Sequence, residues 1–409
     1  MNSDMAGNSQ VIYQKRINDR DKNPNSPSMV KMPEKHFYDY TLLFAVIFMF
    51  SAGLILIFSS SQYMAMIERG DATYYFRRQA MIGGGGLAAG LIVSKWNYRR
   101  FRKGLWPALI FFGTLGLLAA TLVMGLAAKG KTRWLSLFGN SFQPTEVAKI
   151  GVIMTVAFLI DLMGKGINKT KNFCIVIAAG LIPGLLVFSQ NISSGFIIVF
   201  IAAVMLFIAS DKTKLFGGLL AAGAAGLLSA KPLIRLVIEK TGYNERPSQY
   251  WLRRILAWAL PEVYTTDAYQ TQQGLYAIGS GGLTGRGLGE SIQKFGKIPE
   301  VQNDMIFTVI CEEFGFIGAL TLIILYGLII YRIYVIAKNA ADMYGSMICI
   351  GVMAHLSIQV ILNIAVVTGV IPNTGVTLPF ISYGGSAAAF TMVEMGLVLS
   401  VSNRIPVGN

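Results

Sequence analysis

One carboxylate in this chain stands where an apolar run meets a polar one, and its surroundings suit proton transfer. Asp304 lies in Pro299-Glu300-Val301-Gln302-Asn303-Asp304-Met305-Ile306-Phe307. A carboxylate at such a boundary is partly desolvated, which disfavours its charged form and makes it a stronger general base. The competing role is the N-cap of the helix that follows, which Asn303 could equally fill. Glu312 and Glu313 come next in the same run. Helical geometry puts Glu312 on roughly the face of Asp304, two turns deeper. Buried carboxylates there read first as a structural hydrogen-bond or ion-pair network.

Other groups with chemical potential are scattered along the chain. Glu146 and Lys149 share a helix face in Gln143-Pro144-Thr145-Glu146-Val147-Ala148-Lys149 and can pair. At the mouth of a bundle, Lys149 could also hold a phosphate as a point charge. Arg133-Trp134, just upstream, adds a guanidinium suited to pyrophosphate and a ring suited to a sugar face. The glycine-rich Gly279–Gly289 lacks the GK[ST] of a P-loop, so it reads as a tight turn rather than a nucleotide site. His355, Gln359 and Asn363 recur every four residues as one polar stripe. Interhelical hydrogen bonding is the plainer role for that stripe and a proton relay the sharper one. Cys174, Cys311 and Cys349 all lie in apolar runs and read as small buried hydrophobes.

The elements that must position these groups are membrane helices. Of 409 residues, 54% are hydrophobic and only 14% charged, below the level of soluble domains. Apolar runs predict an all-α bundle of about ten transmembrane helices. They begin with Thr41–Ser59 and Gln79–Ser94, pass through Leu215–Ala230 and Met305–Ile330, and end with Ser386–Val401. Residues 1–40 read as a disordered polar tail, 41–404 as the membrane domain, and 231–303 as a large extracytoplasmic loop. Tyr250–Trp258 within that loop has the aromatic and cationic mix of a membrane-surface helix. Gly83–Gly86 most simply permits close helix packing.

The net charge of +14 does not point to nucleic acid, because the basic residues sit in short loops. Lys95, Arg99, Arg100, Arg102, Lys165, Lys169, Lys212, Lys214, Arg332 and Arg404 all fall on one side of the predicted topology. That side is cytoplasmic by the positive-inside rule, with both termini inside. Asp304, the Arg133–Lys149 segment and the loop Ser382-Tyr383-Gly384-Gly385-Ser386 then share the outer side.

Four separated blocks together resemble one family. They are Arg133-Trp134 with Gln143–Lys149, Gln270–Lys294, Pro299–Gly315, and Asn363–Ser386 with its Leu378-Pro379-Phe380-Ile381-Ser382-Tyr383-Gly384-Gly385-Ser386. The pattern is similar to that of the shape, elongation, division and sporulation (SEDS) family, typified by FtsW and RodA, and the cytoplasmic tail leans towards the FtsW branch. One block departs. Where the family often has QPDLGTA, this chain has Gln190-Asn191-Ile192-Ser193-Ser194-Gly195.

The resemblance implies a peptidoglycan glycosyltransferase that polymerises lipid II at the outer face of the bacterial cytoplasmic membrane. It implies Asp304 as catalytic base. The candidate substrate-binding residues are Arg133, Glu146, Lys149, Lys297, Ser382, Tyr383, Gly384, Gly385 and Ser386. A divalent cation, Mg2+ or Mn2+, could assist, although no acidic cluster stands out. A class B penicillin-binding protein and other divisome or elongasome membrane proteins are the implied partners. A lipid II flippase or a recruiting scaffold is the competing class, and only the enzyme requires Asp304.

Overall fold

The computed structural model describes residues 36–124, 126–128, 131–137, 140–241, 247 and 249–406. They fall in two units. Phe37–Ile405 holds every element below; of the other, 1–36 with 406–409, only His36 and Pro406 are described. Residues 1–35 of the predicted tail therefore lie outside the described residues.

The chain is an all-α polytopic membrane protein. Its helices are α1 (Tyr40–Arg69), α2 (Tyr74–Lys95), α3 (Trp106–Met124), α4 (Pro144–Met163), α5 (Thr170–Phe188), α6 (Ile192–Ala209) and α7 (Thr213–Thr241), then α8 (Tyr250–Ala259), α9 (Thr265–Gly281), α10 (Ile306–Asn339), α11 (Met343–Val367) and α12 (Gly385–Ser402). Among the described residues, 9 helices are long and apolar enough to cross a membrane. The remaining predicted span is α2, a 22-residue helix whose Arg77, Arg78 and four consecutive glycines dilute its hydropathy. Between α3 and α4 lies a small antiparallel sheet not foreseen from sequence, β1 (Leu126–Ala128), β2 (Lys131–Leu137) and β3 (Asn140–Phe142).

Helix ends follow local chemistry. Asp39 caps α1 by accepting from the Leu42 N–H at 2.9 Å, and Gly70 ends it in the left-handed conformation. Two boundaries differ from expectation. α7 runs through Pro232 to Thr241, so the predicted 231–303 loop begins inside a helix. α10 continues to Asn339 but is broken at Gly315, whose φ of 66° and ψ of −164° are not helical. Cys174 is exposed on α5 rather than buried, while Cys311 and Cys349 are buried.

α11 is the hub, packing on α4, α6, α10 and α12. At one end of the bundle, charged pairs join separate helices. Arg332 meets Asp39 at 2.6 Å, Arg99 meets Asp342 at 2.5 Å, and Arg102 meets Asp161 at 3.1 Å. Burial pushes the Asp342 carboxyl up, but hydrogen bonds from the Gly345 N–H, Arg99 and Tyr98 outweigh it and hold the group below the usual carboxylate range.

The most extensive interhelical contact is α2 on α12. The glycine run explains it in part. A Cβ on Gly86 would lie 2.4 Å from Ala389 Cα, and one on Gly90 would lie 2.4 Å from the Met392 carbonyl. Gly84 and Gly85 face open space. Gly86→Leu should therefore lower the melting temperature of the purified protein markedly, by about 2 kcal/mol or more of overpacking strain. Gly84→Leu should leave it near wild type.

Candidate active site

Asp304 sits in a non-helical turn rather than on α10, which begins at Ile306 with Met305 in the cap position. Neither Asn303 nor Asp304 is thus the cap residue. The expected sharing of a helix face with Glu312 also fails, because the chain is not helical between them throughout. Asp304 is 7% exposed. Its backbone carbonyl accepts from Asn363 Nδ2 at 2.8 Å, and the same amide donates to the Val376 carbonyl at 2.8 Å.

The polar stripe on α11 supplies that anchor. Gln359 donates to the Thr377 carbonyl at 3.0 Å, one residue beyond the Asn363 contact. His355 lies deeper and meets Glu394 of α12 at 2.7 Å, both buried. The stripe therefore pins two loops, 299–305 and 369–384, and joins two helices.

From the other side the 369–384 loop is held by α2. Gln79 donates to the Ser382 carbonyl at 3.3 Å and accepts from the Gly384 N–H at 3.2 Å. The Tyr383 N–H donates to the Gln302 carbonyl at 2.9 Å, tying the two loops together. The Ser382 hydroxyl accepts from the Leu378 N–H at 2.7 Å. Gly385 opens α12 against Ile82, and Ser386 is half-buried. Burial raises the pKa of the Tyr383 phenol above its ordinary value. Among the described residues, the non-glycine residues with positive φ are Glu300 and Phe380, one in each loop. A bulky Phe at φ 64° costs about 1–3 kcal/mol, and such strain persists only where the surroundings enforce it.

Two elements that sequence reasoning gave no chemical role complete the wall. α8 carries Arg254, whose Nη1 donates to the Asn373 carbonyl at 3.0 Å. A Cβ on Gly375 would lie 3.5 Å from Arg254 Nη1 and 3.8 Å from Asp304 Oδ2. A guanidinium and the candidate base thus edge the same small space, which only a glycine there leaves open. α9 carries Gln270, which accepts from Asn373 Nδ2 at 2.9 Å and donates to the Pro299 carbonyl at 3.0 Å. The signal for Arg254 was its place in the amphipathic Tyr250–Trp258 stretch, which shows a surface helix but not what its cations face. Gln302 Oε1, Asn303 Oδ1 and Thr374 Oγ1, on the two loops flanking Asp304, are buried without a protein partner.

The other predicted residues spread out. Glu146 and Lys149 open α4 as a buried ion pair at 2.8 Å. α4 and α10 both start from the same end of the bundle, so the pair shares the end that holds Asp304. Lys297 is exposed. Arg133 lies on β2, and its side chain is outside the described residues. Glu312 and Glu313 form the structural network expected of them. Ser291 donates to Glu312 at 2.5 Å, and Lys294 meets Glu313 at 2.8 Å. Among the described residues no cluster of three or more His, Cys, Asp or Glu side chains gathers to hold a metal.

The comparisons bear on the family and the fold. The FtsW/RodA/SpoVE family model, described as cell cycle protein, covers residues 40–405. The chain belongs to the FtsW/RodA/SpoVE family. A probable peptidoglycan glycosyltransferase FtsW of Trichlorobacter lovleyi is 32% identical over 89% of this chain and 93% of its own. Stage V sporulation protein E of Bacillus subtilis is 32% identical over 89% and 96%. The FtsW and sporulation branches therefore stand equally near this family member. Among solved structures, a chain in a peptidoglycan synthase complex that coordinates polymerization and crosslinking aligns with a TM-score of 0.69 at 26% identity, covering 89% of this chain and 97% of that one. A point mutant of Thermus thermophilus rod shape determining protein RodA aligns at 0.63 and 25%, covering 91% and 99%.

Two outcomes test the geometry. Asn363→Leu removes both donations and strands two buried carbonyls, so stability should fall by about 2 kcal/mol or more. Hydrogen exchange should rise selectively around 304 and 376. Lys149→Met leaves Glu146 buried and unpaired, at a cost of about 3–5 kcal/mol. The double variant Glu146→Gln/Lys149→Met should recover most of the lost melting temperature.

Proposed function

We propose that this protein is a peptidoglycan glycosyltransferase of the bacterial cytoplasmic membrane that polymerises lipid II on the outer face. The observation that carries the reading is Asp304: a buried carboxylate on a doubly anchored turn, edging the same space as a guanidinium. The names of the relatives support the reaction class. The basic loops gathered at the opposite end support an outward-facing site with both termini inside.

The reaction is a single displacement. The acceptor's sugar hydroxyl attacks the donor's anomeric carbon, and Asp304 takes the hydroxyl proton as the new C–O bond forms. The bond from that carbon to the pyrophosphate oxygen breaks, and the pyrophosphate leaves with the bonding pair. One inversion converts an α-linked donor into a β-linked glycan. Cationic side chains offset charge growing on the leaving oxygens; Arg254 is placed for this beside Asp304, and Lys149, Arg133 and Lys297 lie on the same side of the membrane. Glu146 holds Lys149 in place. Tyr383 and the Ser382–Ser386 loop, with the Gly384–Gly385 backbone and Ser386, shape the wall against which a substrate would lie. A divalent cation, Mg2+ or Mn2+, would add to that neutralisation, although among the described residues no cluster of three or more His, Cys, Asp or Glu gathers to hold one.

A class B penicillin-binding protein is the fitting partner, since such a transpeptidase would cross-link the strands made here. Other divisome or elongasome proteins would place the pair. Glycan formation by the purified protein with that partner and lipid II tests the reading. Asp304→Asn should lower polymer yield about a hundredfold or more in protein that a thermal melt shows to be folded. Equal polymer from both proteins would remove Asp304 from the mechanism. No polymer from wild type, with lipid II crossing vesicle bilayers, would establish a flippase instead.

A further inference from the structure

Two independent counts place the bilayer on this bundle. At the cytoplasmic end the Arg332–Asp39 pair joins the start of α1 to the inner part of α10. Tyr40, Tyr331 and Tyr334, their neighbours in sequence, are exposed, as aromatic side chains are at a membrane boundary. A hydrocarbon core of about 30 Å takes about 20 helical residues. Counted up α1 from Asp39, that length ends at Ser59. Counted back along α10 from Arg332, it ends at Glu312. The structure joins these two ends. The Ser59 hydroxyl donates to Glu313 at 2.8 Å, and the Lys294 ammonium meets Ser59 at 3.1 Å and Glu313 at 2.8 Å. Both counts thus end in one layer, the expected outer edge of the hydrocarbon.

The turn between α9 and α10 stands at that layer. Its Arg286 and Gly287 N–H groups donate to the Glu312 and Glu313 carbonyls, and its Ile292 and Gln293 N–H groups donate to the Glu312 carboxylate at 3.0 and 3.3 Å. Irregular backbone at the edge of a bilayer requires such partners from within the protein. The outward side chains are apolar: Leu283 is 71% exposed, Leu288 54%, Phe295 47% and Ile292 45%. The Leu283 carbonyl accepts from the Ile317 N–H, so this end of the turn adjoins the exposed Phe316 and Ile317 of a membrane span. At the other end the Phe295 ring stands perpendicular to that of Tyr63 on α1, 5.4 Å away and one turn above Ser59. The patch thus runs from α10 to α1. Its charged members are Arg286, which turns to Glu312 at 3.8 Å, and the exposed Glu290 and Lys297.

We propose that the 282–296 turn is an outer-leaflet anchor, with Leu283, Leu288, Ile292 and Phe295 seated among lipid acyl chains and Arg286, Glu290 and Lys297 at headgroup level. The occupant is lipid because the patch lies at the height where both counts end and continues the exposed side of α10. Large apolar side chains gathered on a surface mark something that covers them. The turn therefore leaves the aqueous loop that the sequence predicts for 231–303 and rests in the membrane boundary. It also sets the height of the site. From Glu313 back to Ile306, α10 rises by about 10 Å, so the Asp304 turn stands at the outer margin of the headgroup layer. The inference concerns the membrane and holds whether or not the chain forms glycan.

Spin-label power saturation of the full-length protein in phospholipid nanodiscs tests this, with Cys174→Ser removing the exposed native thiol. Leu320→Cys, exposed on the membrane span of α10, gives the lipid reference. Glu262→Cys, exposed on the outer loop, gives the aqueous one. Labels at Leu283→Cys, Leu288→Cys and Ile292→Cys should be relaxed more by oxygen, which concentrates among acyl chains, than by a water-soluble nickel chelate. Their oxygen-to-nickel ratios should lie near that of Leu320→Cys and well above that of Glu262→Cys. All three positions are exposed, so melting temperatures should stay near wild type. Ratios at the Glu262→Cys level would put the turn in water and overturn the proposal. Labels shielded from both reagents would reveal a protein cover, a second copy or another helix, and overturn the lipid occupant equally. Lys297→Cys should fall between the two references; a ratio as high as that of Leu320→Cys would overturn the height assigned to the site.

Discussion

Backbone that leaves helical form in an apolar surrounding must find hydrogen-bond partners within the protein, and this constraint governs how the site is built. The turn bearing Asp304 and the 369–384 loop are both irregular. Asn363, fully buried on α11, satisfies a carbonyl of each with one amide group. Gln79 does the corresponding work from α2 with its donor and its acceptor together. Amide side chains suit this task because they carry donors and an acceptor without charge. The candidate base is thereby fixed through its backbone, independently of whatever its carboxylate meets.

The same constraint explains the break in α10. At Gly315 the helix loses its internal bonds, and the loop after α9 replaces them. Arg286 and Gly287 donate to the Glu312 and Glu313 carbonyls at 3.0 and 2.8 Å, while Phe316 and Ile317 donate to the Gly282 and Leu283 carbonyls at 2.9 and 3.1 Å. Such backbone-to-backbone contact requires glycine on both sides. A Cβ on Gly285 would meet the Glu313 carbonyl at 2.2 Å, and one on Gly315 would meet the Gly285 nitrogen at 2.4 Å. A broken helix with a polar stripe nearby is a feature transporters use to coordinate substrates. Here the break is filled by the protein's own backbone; the nearby Glu312 accepts from Ser291 and lies near Arg286, and Glu313 pairs with Lys294.

Much of this was legible from residue type and order. Apolar run length located the helices, and the boundary position of Asp304 marked it as a candidate. What stayed hidden depended on approach between distant segments. The stripe of His355, Gln359 and Asn363 was visible, but not that its outer member holds the Asp304 carbonyl, since that needs the 299–305 turn to fold over α11. Arg254 was visible as one cation of an amphipathic stretch; its place beside Asp304 depends on the 369–384 loop, which supplies the Asn373 carbonyl and Gly375. The apolar run that ends at Ala230 put the start of the outer loop at Lys231, ahead of Pro232. α7 nevertheless runs through it, and so carries Lys231 and the Leu233–Ile238 face into one rod. The small sheet after α3 was missed because a short polar segment with Gly and Lys carries no period strong enough to separate strand from loop.

The charges in this bundle divide by depth, and the division bears on why the site lies where it does. Among the described residues, buried charges below the outer surface have close opposites: Glu146 with Lys149, Glu313 with Lys294, and at the other end Asp39 with Arg332. Those pairs are settled locally, as a low dielectric demands. Asp304 and Arg254 converge across a glycine where the loops meet the surface. Substrates tethered by lipid tails present their reacting atoms at a nearly fixed height above the bilayer. A base and a cation held at that height by backbone anchors need not search for them, and two lipid-bound reactants are already confined to one plane. Positioning of that kind replaces much of the entropy cost of bringing two molecules together. A bundle whose interior charges are paired off, and whose outer loops are pinned from below, can therefore do this chemistry with few groups at the point of reaction.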